Sequence, residues 1–151
     1  MTRILMVCLG NICRSPLAHG ILQSKLPEDR FYVDSAGTAA YHIGNVPDKR
    51  SITVANQHDL DISTQSARQF KVSDFDDFDI IYAMDHSNYE DIIRLARNSE
   101  DTKKVTLFLK VNSCVQNKNV PDPYYGGQDG FEYVFKLIND TCDILAKKLN
   151  N

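Results

Sequence analysis

The residues best suited to chemistry lie near the amino terminus, in the stretch VCLGNICRSP at positions 7–16. Cys8 follows a short apolar run, and Arg14 comes after five intervening residues that include a glycine and an asparagine. A deprotonated thiol is a strong nucleophile, and a guanidinium group holds two oxygens of one phosphate in its planar fork. This spacing indicates a nucleophilic attack on a phosphorylated compound.

The stretch lies between a predicted strand and a predicted helix. Residues 3–7 form a short apolar run typical of a buried parallel strand, and residues 16–26 carry apolar side chains at helical spacing. A loop at this position gathers backbone N–H groups around an anion, and the helix dipole adds positive potential. We therefore expect Cys8 to be a thiolate at neutral pH. The expected phosphate-binding residues are Leu9, Gly10, Asn11, Ile12, Cys13, Arg14 and Ser15.

Strand and helix patterns continue to alternate along the chain. A second strand is predicted to begin at 31–33 and to end at residues 35–37, further strands are predicted at 80–84 and 105–109, and further helices at 47–58, 87–97 and 131–149. A turn is expected at residues 35–37, and Asp85 or Ser87 is the expected N-cap of the helix at 87–97. This order predicts one α/β domain over residues 1–151, with a four-stranded parallel sheet and helices on both faces. The phosphate-binding loop would connect the first strand to the first helix.

Composition narrows the class of protein. Seventeen Lys and Arg against twenty Asp and Glu give a net charge of −3, which argues against a nucleic-acid or membrane-surface partner. No apolar run approaches the roughly 20 residues of a membrane span, and the amino terminus lacks the pattern of a signal peptide. We therefore expect a cytoplasmic protein with its four cysteines reduced.

Several other types of site are excluded by residue spacing. A Walker loop requires Gly-Lys where the chain has Ser15 and Pro16, and a dinucleotide loop requires three spaced glycines. The cysteines and histidines show no metal-binding spacing, so we expect neither a metal nor a cofactor. The aspartates at positions 74, 76, 77 and 79 are interpreted as a solvated turn, and His42 and His58 as solvated surface residues.

Phosphoryl transfer also requires an acid that protonates the leaving oxygen. The stretch NVPDPYYGG at 119–127 places Asp122 between two prolines and next to Tyr124 and Tyr125. Asp122 is therefore the candidate general acid.

Together these motifs resemble those of the low-molecular-weight protein tyrosine phosphatases. The resemblance covers nearly the whole chain, through VCLGNICRSP, DSAGT at 34–38, IGNVPDKRS at 43–51, ARQF at 67–70, FDIIYAMDHSNYED at 78–91 and VPDPYYGG at 120–127. It implies that Cys8 is the nucleophile, Arg14 the phosphate clamp, and Asp122 first the acid and then the base. It further implies a phosphocysteine intermediate, a phosphotyrosine-containing protein as substrate and inorganic phosphate as product. We expect the protein to be a monomer.

The resemblance also implies supporting roles. Residues expected to hydrogen-bond within and beneath the loop are Asn11, Ser15 and Ser35, and aromatic residues expected to line the cleft are Tyr41, Tyr124 and Tyr125. The chain departs from the family at His19, where Glu is common, and at Gln65, where many members have His.

A second cysteine in the loop has two interpretations. The family resemblance implies that Cys13 protects Cys8 by forming a disulfide with it after oxidation. The alternative is that Cys13 is a small apolar residue packed beneath the loop.

The residues bear on four alternatives to hydrolysis of phosphotyrosine. In a protein arginine phosphatase of the same family, position 12 is the position that bears on phosphoarginine preference, and the bulkier Ile12 favours phosphotyrosine without excluding phosphoarginine. A thioredoxin-linked arsenate reductase needs further cysteines near residues 80–95, where the chain has none. A phosphocysteine carrier must retain its phosphate, so Arg14 and Asp122 argue against it. The same two residues, with Cys8, argue against a silent phosphotyrosine-binding module.

Overall fold

The chain, described over residues 1–151 by a computed structural model, forms a four-stranded parallel sheet. Its strands are β1 (Thr2–Cys8), β2 (Phe31–Gly37), β3 (Ile80–Ala83) and β4 (Val105–Leu107). They lie in the order β2-β1-β3-β4, with Cys8 opposite Gly37 and Val7 opposite Ala83. The predicted α/β class and four-stranded parallel sheet are confirmed.

Six helices accompany the sheet: α1 (Arg14–Lys25), α2 (Lys49–Gln57), α3 (Asp74–Asp77), α4 (His86–Ile93), α5 (Ser99–Lys103) and α6 (Gln128–Asn150). Apolar residues of α1, α2 and α6 belong to a core cluster of 27 buried residues, and those of α3 and α4 to a separate cluster of 11. Short 3₁₀ turns lie at Phe108–Val111 and Pro123–Tyr125. Helices therefore cover both faces of the sheet, as predicted.

Strand β1 explains why two separate clusters exist. Ile4 and Met6 belong to the larger cluster, while Leu5 and Val7 belong to the smaller one. Successive side chains of a strand point to opposite faces, so a strand covered on both sides needs an uninterrupted apolar run. The apolar run at residues 3–7 therefore matches the central position of β1 between β2 and β3.

Strand β2 is longer than predicted. The turn expected at residues 35–37 is wrong, because the strand continues through Gly37 and pairs with β1 along its whole length. Other boundaries also differ: α4 ends at Ile93 rather than near residue 97, and β4 passes into a 3₁₀ turn after Leu107.

The interpretation of the aspartate run as a solvated turn is wrong for Asp74. Its side chain is 1% exposed and accepts hydrogen bonds from Arg68 at 3.0 and 3.1 Å and from the Lys71 backbone at 2.9 Å. A buried carboxylate persists when it is paired in this way. Asp74 thus fastens the segment around Arg68 to the start of α3.

The carboxyl ends of the strands define where the site lies. The chain leaves β1 on one side for β2 and returns on its other side for β3, so a crevice opens beyond the end of β1. Ligands bind at such switch points in open α/β sheets.

No helix of the structure combines the length and the apolar character that crossing a membrane requires.

Candidate active site

The loop between β1 and α1 leaves its backbone N–H groups free. The carbonyls of Cys8, Leu9 and Ile12 accept hydrogen bonds from the backbones of Thr38, Ala39 and Asp48 at 2.9, 2.9 and 2.7 Å. The N–H groups of residues 9–13, in contrast, donate to no acceptor within the protein. Backbone N–H groups with this freedom, next to a helix N-terminus, form an anion-binding nest.

The tight course of the loop depends on two residues. Asn11 has a φ of 58°, a left-handed conformation that asparagine tolerates better than most residues. Gly37 lies beneath the loop, where a Cβ atom would come within 2.8 Å of the Leu9 carbonyl oxygen. The end of β2 therefore has to be glycine for the loop to curl this closely over the sheet.

Cys8 ends β1 at the base of the cleft and is 3% exposed. Its Sγ lies 3.0 Å from Oγ of Ser15, and Nδ2 of Asn11 donates to that same Oγ at 2.8 Å. Asn11 also donates to Oγ of Ser35 at 3.0 Å. The three residues expected to support the loop are thus brought together beneath it, and Ser15 can stabilise a thiolate with its hydroxyl proton.

Arg14 is 2% exposed and is fixed from the side away from the loop. Its Nη1 donates to Oδ2 of Asp85 at 2.6 Å and to the carbonyl of Val120 at 3.0 Å. Burial acts to lower the pKa of Arg14, but the negative field of Cys8, Asp85 and Asp122 raises it above the ordinary value. The guanidinium therefore stays charged and oriented although it is buried.

Asp122 lies across the cleft from the loop. Its Oδ1 caps the following 3₁₀ turn by accepting from the Tyr124 backbone at 3.0 Å, and its Oδ2 is 3.6 Å from Nη2 of Arg14. The side chain is 31% exposed and lines the same cleft as Cys8. This is a suitable place from which to protonate a leaving group.

An aromatic wall borders the entrance to the cleft. Tyr41, Tyr124 and Tyr125, the three tyrosines that the sequence predicted, all line it. His42 lies between two of them, with its ring centroid 6.4 Å from that of Tyr41 and 6.2 Å from that of Tyr124. His42 is half-buried at the surface and also belongs to the wall, which its interpretation as a solvated surface residue did not include.

Arg50 holds the loop that carries Asp122. It donates to the carbonyls of Tyr124 and Gly126, both at 2.9 Å, and is itself held by the Asp48 carboxylate. The Arg50 guanidinium also lies 4.6 Å from the centroid of the Phe131 ring. Sequence reasoning missed this function, and the only signal was the motif IGNVPDKRS in which Arg50 stands.

Cys13 lines the cleft beside Cys8 and is the residue immediately before α1. Its carbonyl accepts from Ser51 at 3.4 Å, and its side chain is buried. Burial raises the pKa of the Cys13 thiol, and the carboxylate of Asp48 adds to this. Cys13 is consequently an uncharged thiol at neutral pH, unsuited to be the nucleophile.

Asp85 is the functional residue that sequence reasoning recognised only in part. It is the N-cap of α4, one of the two predicted candidates, with Oδ1 accepting from the Asn88 backbone at 2.8 Å. Its second oxygen binds Arg14, which no local pattern could indicate because the two residues are 71 positions apart.

The site as a whole combines a thiol, a nest of free amides, a fixed guanidinium and a carboxylic acid across an aromatic-walled cleft. A thiol at the centre of an anion nest can attack a bound phosphoryl group. The aromatic rings of the wall can stack against a flat substituent such as an aryl ring.

Comparison with known proteins identifies the family to which the chain is similar. The profile of the family described as low molecular weight phosphotyrosine protein phosphatase matches residues 3–151. A low molecular weight phosphotyrosine protein phosphatase of Schizosaccharomyces pombe is 43% identical over 152 residues, covering 97% of this chain and 96% of that protein.

Solved structures agree closely with the fold. A protein tyrosine phosphatase of Entamoeba histolytica, with Hepes in its active site, superposes with a TM-score of 0.93 at 34% identity over 99% of this chain and 97% of that one. Vibrio vulnificus Wzb in complex with benzylphosphonate has a TM-score of 0.87 at 31% identity, over 97% of this chain and 98% of that one.

Proposed function

The chain belongs to the low molecular weight phosphotyrosine protein phosphatase family, and we propose that it hydrolyses phosphotyrosine in proteins through a covalent phosphocysteine. The observation that carries this proposal is the loop of free N–H groups at residues 9–13, wrapped between Cys8 and Arg14. Three phosphate oxygens would be held by these amides and by the Arg14 guanidinium. The positive charge that phosphoryl transfer requires is then supplied by the protein itself.

In the first step, the Cys8 thiolate attacks phosphorus and the bond from phosphorus to the phenolic oxygen breaks. Asp122 gives its proton to that oxygen, so tyrosine leaves as the neutral phenol. Ser15, 3.0 Å from Sγ, donates a hydrogen bond that favours the thiolate before the attack and again when it departs.

In the second step, Asp122 acts as a base. The carboxylate takes a proton from a water molecule, the water oxygen attacks phosphorus, and the bond from phosphorus to sulfur breaks. Inorganic phosphate and the Cys8 thiolate are released, and Asp122 is protonated for the next cycle. The carboxylate is 31% exposed, which gives water access to it.

The aromatic wall supports an aryl phosphate as substrate. Tyr41 and Tyr125 are 75% and 86% exposed, so their rings are available to a phosphotyrosine side chain. Phosphoarginine, whose guanidinium could also stack there, is the alternative that a substrate comparison has to separate.

The proposal extends to the oligomeric state of the protein and to its location in the cell. All the residues proposed to act in the reaction come from a single chain, which supports activity as a monomer. The Cys8 thiolate must stay reduced to react, and this requirement supports the cytoplasm as the location.

The decisive experiment compares the purified protein on phosphotyrosine, phosphoserine and phosphoarginine peptides, with and without a chelator. We expect hydrolysis of phosphotyrosine that the chelator leaves unchanged, and none by Cys8→Ser. Cys114→Ser, at an exposed cysteine remote from the cleft, is the matched control and should keep full activity. A preference for phosphoarginine, or turnover by Cys8→Ser, would refute the proposal.

A further inference from the structure

A chain of hydrogen bonds runs from Cys8 beneath the loop to a partly buried histidine on α1. Ser15 contacts Cys8, Asn11 contacts both Ser15 and Ser35, and Nδ1 of His19 lies 3.2 Å from Oγ of Ser35. His19 is therefore the end of a connected series that begins at the nucleophile. His19 takes no part in the two chemical steps proposed for the reaction.

The direction of this chain follows from counting donors and acceptors. Both protons of the Asn11 amide are used, toward Ser15 and toward Ser35, and its Oδ1 accepts from the Arg68 backbone at 3.0 Å. Oγ of each serine thus accepts a hydrogen bond from Asn11, and each serine has its own hydroxyl proton left to donate. The acceptors available to the Ser15 hydroxyl are Sγ of Cys8 at 3.0 Å and the more distant Ala36 carbonyl at 3.5 Å. The acceptor available to the Ser35 hydroxyl is Nδ1 of His19.

The Gln65 amide indicates which nitrogen of His19 carries the proton. Its Nε2 donates to the carbonyl of Pro16 at 3.1 Å, which fixes the orientation of the amide. Its Oε1 is buried and has no partner at ordinary hydrogen-bond distance, and the neighbouring His19 ring is the group it can bind. A proton on Nε2 would meet this acceptor. Nδ1 is then the unprotonated nitrogen that accepts from Ser35.

From this geometry, and resting on the proposed function, we infer that His19 is a positioning residue for the phosphate-binding loop. Its neutral, Nε2-protonated ring accepts the Ser35 hydroxyl proton. Ser35 in turn holds the Asn11 amide, and Asn11 orients the Ser15 hydroxyl toward Cys8. The hydroxyl that donates to the thiolate is thus oriented by an imidazole three hydrogen bonds away.

The surroundings of His19 favour the neutral ring. Burial lowers the pKa of His19, while the carboxylate of Asp34 on β2 and the Gln65 amide partly oppose this. Asp34 is itself paired with Arg68, which weakens its attraction for a charged imidazole. Protonation at Nδ1 would leave the Ser35 hydroxyl proton without its acceptor, an arrangement that a buried site disfavours.

The first test is a spectroscopic one on the unmodified protein. Long-range ¹⁵N–¹H NMR of the imidazole rings at pH 7 should show His19 neutral and protonated at Nε2, with Nδ1 unprotonated. A ring protonated at Nδ1, or charged at this pH, would overturn the inference. The measurement needs no turnover, so it is separate from any failure of the proposed phosphatase activity.

The second test uses variants. His19→Leu removes the acceptor, Ser35→Ala removes its partner, and His19→Asn keeps an acceptor at the δ1 position that does not titrate. We expect His19→Leu and Ser35→Ala each to lower kcat/KM on phosphotyrosine roughly three- to tenfold, the size of one hydrogen bond. The double variant should lose no more than either single one, and His19→Asn should stay near wild type.

The variants also separate positioning from simple folding. The rate at which iodoacetamide alkylates Cys8, followed by mass spectrometry, should fall with kcat/KM in His19→Leu and recover in His19→Asn. His58→Asn, at an exposed histidine outside the chain of hydrogen bonds, is the matched control and should change neither quantity. Additive losses in the double variant, or an equal loss in His19→Asn and His19→Leu, would overturn the inference.

Discussion

Nη1 of Arg14 lies 2.6 Å from Oδ2 of Asp85, with side-chain exposures of 3% and 22% respectively. The pair joins the start of α1 to the start of α4 across the sheet. Because Asp85 and the Val120 carbonyl occupy one nitrogen of the guanidinium, the fork has a single orientation before substrate arrives. Preorganisation of this kind is what electrostatic catalysis requires.

Removal of Asp85 should therefore weaken the phosphate clamp. We expect Asp85→Ala to lower kcat/KM on phosphotyrosine by roughly 10- to 100-fold, the effect of losing one charge-assisted hydrogen bond. Asp85→Asn should lose less, because the amide still accepts hydrogen bonds. Steady-state kinetics with Asp91→Asn as the control on α4 would check this, and an unchanged kcat/KM in Asp85→Ala would contradict it.

The acid function of Asp122 should depend on the leaving group. Asp122→Asn keeps an acceptor for the Tyr124 backbone but has no proton to give, and turnover of phosphotyrosine should fall roughly 10²- to 10⁴-fold. An aryl ester with an acidic phenol should lose much less, because its phenolate leaves without protonation. Equal losses on the two substrates would assign the acid to another residue.

Cys13 should rescue an oxidised nucleophile. Peroxide converts the Cys8 thiolate to a sulfenic acid, and the Cys13 thiol then attacks that sulfur and releases water, which gives a Cys8–Cys13 disulfide. We expect a thiol reductant to restore the wild type fully and Cys13→Ser only in part, with over-oxidised Cys8 in its peptide map. Cys114→Ser should behave as the wild type. A peptide map without a Cys8–Cys13 link would make Cys13 a packing residue.

The rate of this rescue should rise with pH. Burial raises the pKa of Cys13, so only a small fraction is thiolate at neutral pH and that fraction grows as pH increases. Disulfide formation, timed by mass spectrometry after a peroxide pulse, should be faster at pH 8.5 than at pH 7. A rate independent of pH would mean that capture does not depend on deprotonation of Cys13.

The sequence predicted the part of the site that is local. Cys8, Arg14 and Asp122 stand in short motifs whose flanking strand, helix and prolines are visible in the chain. His42 lines the cleft and Arg50 holds the loop that carries Asp122, and both positions depend on tertiary contacts that no local pattern indicates. The length of strand β2 is underestimated by the sequence pattern, because Ser35 and Gly37 are unfavourable in an isolated strand. In the folded protein, pairing with β1 holds both residues in the strand.

Stability should depend on pH through His19. Its pKa is lower in the folded protein than the value of about 6.5 expected in the unfolded chain, so between these values only the unfolded chain binds the proton. The free energy of unfolding should therefore fall as pH drops from 7 toward 5, by at most about 1.4 kcal/mol per pH unit from this group. Urea titrations should show a shallower decrease in His19→Asn, and parallel decreases would contradict the assignment.

The partners of the loop lie far along the chain: Arg14 bonds to residues 71 and 106 positions later, and Asn11 to one 57 positions later. During synthesis the whole VCLGNICRSP stretch leaves the ribosome long before Asp85, Val120 and Asp122 exist. Without them the loop has no reason to keep its curl, because closing it requires contacts between distant segments. A nascent chain therefore carries only an ordinary cysteine, and its reactivity toward phosphate and peroxide arises late, when the sheet has closed around it.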